Sequence, residues 1–329
     1  MIPMLLDLLA HPAVRIVVAL ALTMAFVGVM GLVLVYAERK VAGYIQRRPG
    51  PFEVGPQGIL QSFADAGKLV AKQLVRPFDA DPVLFWVAPV LSLAPVVVCF
   101  LPMPFGPVLT GIQINVGLVL VLAFSGLNTL ALCLAGWSSS NKYSLLGSAR
   151  AVSQSVAYEI PLLLAVLAVA FQAGSLDLSE ITLGQSRSIL SWNVWTQPLA
   201  ALIFFVSLVA ETNRAPFDLP EAESELTAGF HTEYSGMGFG LFFLAEYTYM
   251  TIGCAMTSCL FLGGWSGPIA DGHWWFLAKT FALLLVMMWL RWTFPRVRFD
   301  QLLNICWKWL IPLGLVNLVL TALVIKVVG

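Results

Sequence analysis

The five cysteines of this 329-residue chain, Cys99, Cys133, Cys254, Cys259 and Cys306, form no Cys-x-x-Cys pair. That pattern excludes an iron–sulfur or zinc motif, and cysteines in or beside apolar runs read as small buried hydrophobes rather than a disulfide framework. Only three histidines occur, none of them paired within an apolar run as a haem clamp requires. Neither a Walker nor a Rossmann glycine signature is present. The glycines of Gly-Met-Gly-Phe-Gly at 236–240 open an apolar run, where small residues more often permit close helix packing. The chain is therefore expected to carry no flavin, haem, cluster, metal or nucleotide of its own, and no nucleic-acid partner is expected. Charge is scarce as well: 11% of residues are charged against 59% hydrophobic, and the mean hydropathy of +0.86 is far above that of a soluble domain.

What fills the chain instead is long apolar sequence. Eight runs approach the roughly 20 residues that a helix needs to cross a bilayer: 14–36, 83–101, 116–137, 152–171, 195–210, 239–262, 274–292 and 305–328. They are continuous rather than alternating, which argues against a β-barrel. The reading is an all-α, polytopic integral membrane protein forming one membrane domain over residues 1–329, without long linkers or internal repeats. The fifth run is short and carries Pro198. The first runs straight into Glu-Arg-Lys with no small-residue cleavage site, so it reads as a retained span. Placing the loop after the first run in the cytoplasm puts fourteen Lys and Arg on that side and only Arg15, Arg187, Lys279 and Lys326 on the other. By the positive-inside rule both termini then lie outside, on the periplasmic face of a bacterial inner membrane.

Two cytoplasmic segments carry pattern. Over residues 58–76, Leu60, Phe63, Gly67, Val70 and Leu74 follow one helical stripe, with Gln61, Asp65, Lys68, Lys72 and Arg76 on a second nearly opposite. This predicts an amphipathic helix lying against membrane lipids. Asp65 either pairs with Lys68 or faces a site. The preceding stretch, 47–58, is rich in proline and glycine and reads as a shaped loop, with Arg47 and Arg48 suited to lipid headgroups or a partner's acidic surface.

Acidic residues are concentrated where they are costly. Glu159 and Glu246 sit within apolar runs, where insertion of a charge costs about 2.5–3.5 kcal/mol at the bilayer centre, so both must face a polar interior. Glu38 and Glu211 close the first and fifth runs above them. The four make a ladder suited to proton exchange, since neighbouring carboxyls in a low-dielectric setting titrate as a coupled set near neutral pH. The competing reading is simple pairing: Arg39 beside Glu38, Arg150 with Glu159, Arg214 with Glu211. The loop 210–236 gathers six acids, Glu211, Asp218, Glu221, Glu223, Glu225 and Glu233, around the single cation Arg214. Asp218 and Glu221 fit a capping box; the surplus predicts a negative, hydrated funnel, with apolar Phe217, Leu219, Leu226, Phe230 and Tyr234 interleaved.

The segments AERKVAGYIQRRPGP, QSFADAGKL, ARAVSQSVAYEIPL, AETNRAPFDLPEAESELTAGF and EYSGMGFGLFFLAEY, in this order, closely resemble the quinone-channel membrane subunits of proton-pumping NADH:quinone oxidoreductase, respiratory complex I. The resemblance spans nearly the whole chain. It implies a quinone chamber shared with peripheral-arm quinone-site and iron–sulfur subunits, small membrane subunits as neighbours, ubiquinone or menaquinone as substrate, and electrons delivered by partners. By motif it places Glu38, Asp65, Glu159, Glu211 and Glu246 on an acidic coupling path. Arg39, Arg48, Phe63, Arg150, Arg214, Phe217, Glu221, Glu223 and Glu225 fall to the quinone channel and its loop. Gln73 departs from a common Glu. His231 stands where relatives often carry a neutral residue, as either a titrating group or a helix cap, the cap being favoured. Other readings of the same residues are a hydrogenase membrane anchor, a cation/proton antiporter and an assembly scaffold.

Overall fold

The computed structural model describes residues 12–107, 109–186, 188–220, 223–267 and 271–328. Among them, every extended element is a helix: α1 (Pro12–Ile45), α2 (Gln61–Ala71), α3 (Pro82–Cys99), α4 (Gly117–Ser138), α5 (Lys142–Ala173), α6 (Leu178–Gly184), α7 (Pro198–Glu211), α8 (Gly236–Phe261) and α9 (His273–Thr293). A last helix, α10, runs from Phe299 through a π turn at Cys306–Leu310 to Val328. Seven of these are long and apolar enough to cross a membrane, and α7 is a shorter apolar helix. The protein is an all-α integral membrane protein.

Local chemistry sets the ends. Asp81 caps α3 by accepting from the Val83 and Leu84 amides, with Pro82 at the first helical position. Asn141 caps α5 at the Tyr143 amide, and Gly174, at φ 66°, closes it. Pro198 starts α7, so the fifth apolar run is divided: Trp195 belongs to a separate turn, Asn193–Thr196, and α7 has 14 residues. The interfacial helix is shorter than its pattern. Residues 56–58 form a 3₁₀ turn and Lys72 is extended, so Leu74 and Arg76 leave the helix. Gly58 sits at φ 79°, where an added Cβ would lie 2.3 Å from the Pro51 carbonyl oxygen.

Helix α8 is the axis of the bundle. It packs against α1, α2, α3, α7 and α9, and every residue from Tyr247 to Phe261 is buried, the all-round burial of a core helix. Close approach is made possible by glycine. A Cβ on Gly253 would lie 2.0 Å from Leu208 of α7, and one on Gly31 of α1 would lie 2.4 Å from Leu244. The loops 46–60, 212–235 and 294–298 gather at one end of the bundle, the loop end.

At the far end α8 is stitched down. Gln185 donates to the Cys259 carbonyl at 2.9 Å, and Asn193 to that of Leu260 at 2.8 Å. The Lys279 ammonium donates to the carbonyls of Leu262, Gly264 (3.0 Å) and Ser266 (2.6 Å) and lies 4.2 Å from the Trp192 ring. Three acceptors use all three of its N–H bonds. Lys279→Met is expected to strand these carbonyls at about 1–3 kcal/mol for each that water cannot reach. A lowered unfolding midpoint of the purified assembly in a thermal-shift assay checks this.

Candidate functional site

The stretch after α7 folds back into the bundle. The Thr212 amide reaches the Leu208 carbonyl at 3.0 Å, Asn213 adopts φ 51°, and the Arg214 amide returns to Val209. The Gln154 side-chain amide donates to the carbonyls of Ala210 (2.7 Å) and Phe217 (2.8 Å), tying both ends of the turn to α5. Residues 211–220 are consequently buried, apart from the partly exposed Pro216. The first half of the acidic loop is thus a packed wall of the bundle and not the hydrated funnel expected from its composition.

This fold-back drives Arg214 between two carboxylates from different helices. Its Nη1 lies 3.3 Å from both oxygens of Glu38 on α1, and its Nε lies 2.6 Å from Glu246 Oε1 on α8. The guanidinium stacks 4.5 Å from the centre of the Tyr247 ring, and the Tyr247 hydroxyl donates to Glu38 at 2.5 Å. Arg291 of α9 also bonds Glu38. Two guanidinium groups therefore face two glutamates in a site where Glu38 and Arg214 are almost wholly buried. A buried carboxylate without such partners is strongly unfavourable, and the planar, rigid fork of arginine presents separate N–H donors in fixed directions to the two carboxylates.

Glu211 forms a second centre. It is buried and accepts from the Tyr249 hydroxyl at 2.6 Å. Glu159, half-buried on α5, faces Gly126 of α4, where a Cβ would lie 3.4 Å from its Oε1, and its charge acts on Glu211. The four acids thus fall into two sets: Glu38 with Glu246, bridged by Arg214, and Glu211, held by Tyr249, with Glu159 on the neighbouring α5. A polar cavity of about 230 Å³ joins the sets, lined by Glu211, Glu246, Asn213, Asn128, Ser92, Tyr249, His231 and Arg291 with several phenylalanines. Protons in such a set belong to the network, because each carboxylate reports the charge of the next.

The pairings suggested by proximity in sequence are replaced by others. Arg39 bonds Asp65, which also accepts from Gln61 at 3.0 Å, so Lys68 is not its partner. Arg150 reaches Glu225 at 2.6 Å instead of Glu159, and Arg214 serves Glu38 and Glu246 instead of Glu211. Asp218 pairs with Arg296 at 3.1 Å, and the helical turn after it begins at Glu223; Glu221 and the side chain of Glu223 lie outside the described residues. Glu233 accepts from Asn141 at 2.6 Å. Phe217 is buried against Tyr158, whereas Phe63 stands exposed on α2. His231 ends a 3₁₀ turn, Gly229–His231, and lines the cavity; burial lowers its imidazole from the usual 6.5 to about 4.

Two further spaces adjoin the cluster. One of about 420 Å³ touches Glu38, Arg39, Arg48, Tyr247, Arg291 and the loop 49–51. The other is an apolar groove of about 860 Å³ between α1, α2 and α8, lined by Gly28, Leu32, Ala66, Val70, Gly240 and Leu244 among others, with Arg39, Asp65, Lys68 and Lys72 on its polar rim. Val35, Arg39, Phe243 and Tyr247 border both spaces, and Phe243 and Arg291 border both the 420 Å³ space and the polar cavity. Tyr247, Tyr249, Arg291 and Arg296 escaped the sequence reading as site residues. The tyrosines flank Glu246 closely, but nothing in a sequence marks which helix presents the acceptor.

A family model described as NADH dehydrogenase matches residues 17–322. The chain is 50% identical over 325 residues to a subunit of NADH-quinone oxidoreductase from Desulfotalea psychrophila, covering 95% of this chain and 98% of that relative. It is 44% identical over 309 residues to the subunit of the same name from Dehalococcoides mccartyi, covering 94% and 86%. For that of Chlorobaculum tepidum the identity is 43% over 329 residues, covering 94% and 92%.

The charge balance of the cluster has a measurable consequence. Arg214→Met leaves two buried carboxylates facing each other and is expected to destabilise the fold by about 3–5 kcal/mol. Adding Glu38→Gln and Glu246→Gln is expected to restore part of this, a non-additivity of about 0.5–3 kcal/mol. Thermal-unfolding midpoints of the single, double and triple variants give the comparison.

Proposed function

Because the chain belongs to the NADH dehydrogenase family and is a membrane subunit of an NADH-quinone oxidoreductase complex, we propose that its α1–α2–α8 groove is the quinone channel and that the Glu38–Arg214–Glu246 cluster links quinone chemistry to proton movement. The carrying observation is the adjacency of the three spaces, all of which share Phe243 as a lining residue. An apolar groove of about 860 Å³, kept open by Gly28, Gly31 and Gly240, suits a polyprenyl tail. It runs to a polar end where Arg39, Asp65 and Arg48 offer donors and acceptors to a ring with two carbonyl oxygens.

Quinone reduction consumes two electrons and two protons. The electrons come from partners, the peripheral-arm quinone-site and iron–sulfur subunits docked on the loop end; this chain supplies position and proton chemistry. A charge formed or neutralised beside Arg39 and Arg291 alters the field at Glu38, and Arg214 passes that change to Glu246. Glu211, on the wall of the polar cavity, and Glu159 of α5 continue the path. The Lys and Arg asymmetry supports a cytoplasmic loop end and periplasmic termini in a bacterial inner membrane, with small membrane subunits alongside.

Gly28 offers a direct test, since a Cβ there meets nothing within 4 Å. Gly28→Phe is expected to fill the groove without a clash and to slow reduction of long-tailed quinones about tenfold, a loss of about 1.4 kcal/mol in transition-state stabilisation. NADH oxidation by ferricyanide in the same membranes is expected to be unchanged. Unchanged kinetics with long-tailed quinone argue against the channel. Glu246→Gln in the assembled complex is expected to lower quinone reduction and pumping together.

A further inference from the structure

Helix α2 is held to the bundle by few groups. Of its 11 residues Ser62 alone is buried, and the side chains of the strap that follows it, Lys72 to Arg76, are exposed. A helix of this length is marginal by itself in water, so with little apolar burial its position depends on a few polar contacts. On one wall Asp65 bonds Arg39 of α1. On the other, the strap lies across the start of α8. There the Ser235 hydroxyl accepts from the Val75 amide at 2.9 Å and donates to the Gln73 carbonyl at 3.2 Å. The donor and the acceptor capacity of one hydroxyl are thus both used on one stretch of backbone. Gly236 allows the approach: a Cβ on it would lie 2.9 Å from the Lys72 carbonyl oxygen and 3.4 Å from that of Leu69.

Ser235 stands at the N-cap of α8, where a serine side chain ordinarily accepts from an amide of the first helical turn. It makes no such bond. The hydroxyl is turned from its own helix to the strap, which marks the position as more than a helix start. Both sides of this clamp border the apolar groove. Leu69, Val70 and Lys72 line it from α2 and its end, and Met237, Gly240 and Leu241 line it from the first turns of α8. The two sides pack closely, since a Cβ on Gly240 would lie 3.4 Å from Leu69.

We propose that Ser235 is a positioning residue for the quinone tail: by clamping the strap to the first turn of α8 it fixes α2 as a preformed wall of the groove. The inference rests on the reading of the groove as the quinone channel and names what sets its width. Ser235 does not line the groove itself and acts through α2. A long isoprenoid tail lies along α2 and gains from a wall already in place, because no ordering of that wall then accompanies binding. A short tail makes fewer contacts there. The clamp therefore acts on affinity in step with tail length. Reduction of the ring, which draws its electrons from partner subunits, is left as it was.

The test uses the whole complex in native membranes carrying Ser235→Ala, Ser235→Cys or Ser235→Thr, with assembly and ferricyanide reduction measured alongside. The substrates are a series of one quinone, ubiquinone or menaquinone as the wild type accepts, differing in the number of isoprenoid units. In Ser235→Ala, KM is expected to rise about fivefold for the longest tails and to stay within about twofold for the shortest, with kcat unchanged, the sign of lost uniform binding. Exchange of the Val75 amide with solvent deuterium is expected to be several-fold faster. Ser235→Thr keeps the hydroxyl on an extended backbone that suits a β-branched residue, and is expected to keep wild-type KM and exchange. A change in KM equal at every tail length, or one in kcat alone, overturns the proposal, as does unaltered exchange at Val75. Faster exchange with KM unchanged at every length overturns it too; if Gly28→Phe also leaves long-tailed kinetics unchanged, the channel reading falls with it. If Ser235→Ala does not assemble, Ser235→Cys, close in size and weak as a hydrogen-bonding group, decides in the same way.

Discussion

The arrangement of the loop end depends on one buried guanidinium. Arg214 satisfies carboxylates from α1 and α8 at once, and it can do so only because the chain after α7 folds back and is held there by Gln154. Remove the cation and Glu246 loses its partner while Glu38 is left to Arg291 and Tyr247 alone, one guanidinium against two neighbouring carboxylates, a state the fold cannot tolerate cheaply. Seen from this pair, the packing of α8 against its neighbours, the burial of residues 211–220 and the shape of the cavities between α1, α8 and α9 are parts of one solution.

Under the proposed coupling role, stability and function pull on the same groups. A fully matched set of two arginines and two glutamates is electrically quiet, yet a change of one unit of charge at its margin, beside Arg39 or Arg291, is felt at Glu38 and Arg214 because both are buried in the low-dielectric interior. Tyr247 and Tyr249 extend the set with hydroxyls at 2.5 and 2.6 Å from Glu38 and Glu211. The polar cavity borders this set at Glu246 and Arg291, and the apolar groove reaches its edge at Tyr247.

Much of this was legible in the sequence, and the limits have physical causes. The all-helical membrane fold follows from the apolar runs, and the enclosure of Glu38, Glu211 and Arg214 within the bundle from the cost of charge in or beside them. Partner choice does not. Arg150 and Glu159 are nine residues apart on one helix, which at about 100° per residue puts them on opposite faces, so neither can serve the other. Adjacent Glu38 and Arg39 likewise diverge, one into the bundle and the other toward Asp65 on α2. The excess of acid in the loop 210–236 suggested a solvated surface because composition carries no information on fold-back; in the structure Glu211 and Asp218 are buried with specific partners, Tyr249 and Arg296. The end of α2 at Ala71 was hidden for another reason: an amphipathic stripe continues to match by chance after the backbone has turned extended.

The stitched far end of α8 matters electrically. Thr248, Thr251 and Thr257 turn their hydroxyls back onto carbonyls of their own helix, and the Lys279 clamp closes the last turn, so that half of the bundle is a dielectric slab. Glu246 lies ten residues from the first residue of α8 and fifteen from its last, about 15 and 22 Å at 1.5 Å per residue. If the loop end faces the cytoplasm, as proposed above, a proton reaching Glu246 has crossed at most about two-fifths of the membrane voltage, a bias of about 1 kcal/mol per 100 mV. Most of the voltage drop then falls across the slab, so the membrane potential weighs less on loading this network from the loop end than on any charge movement beyond it.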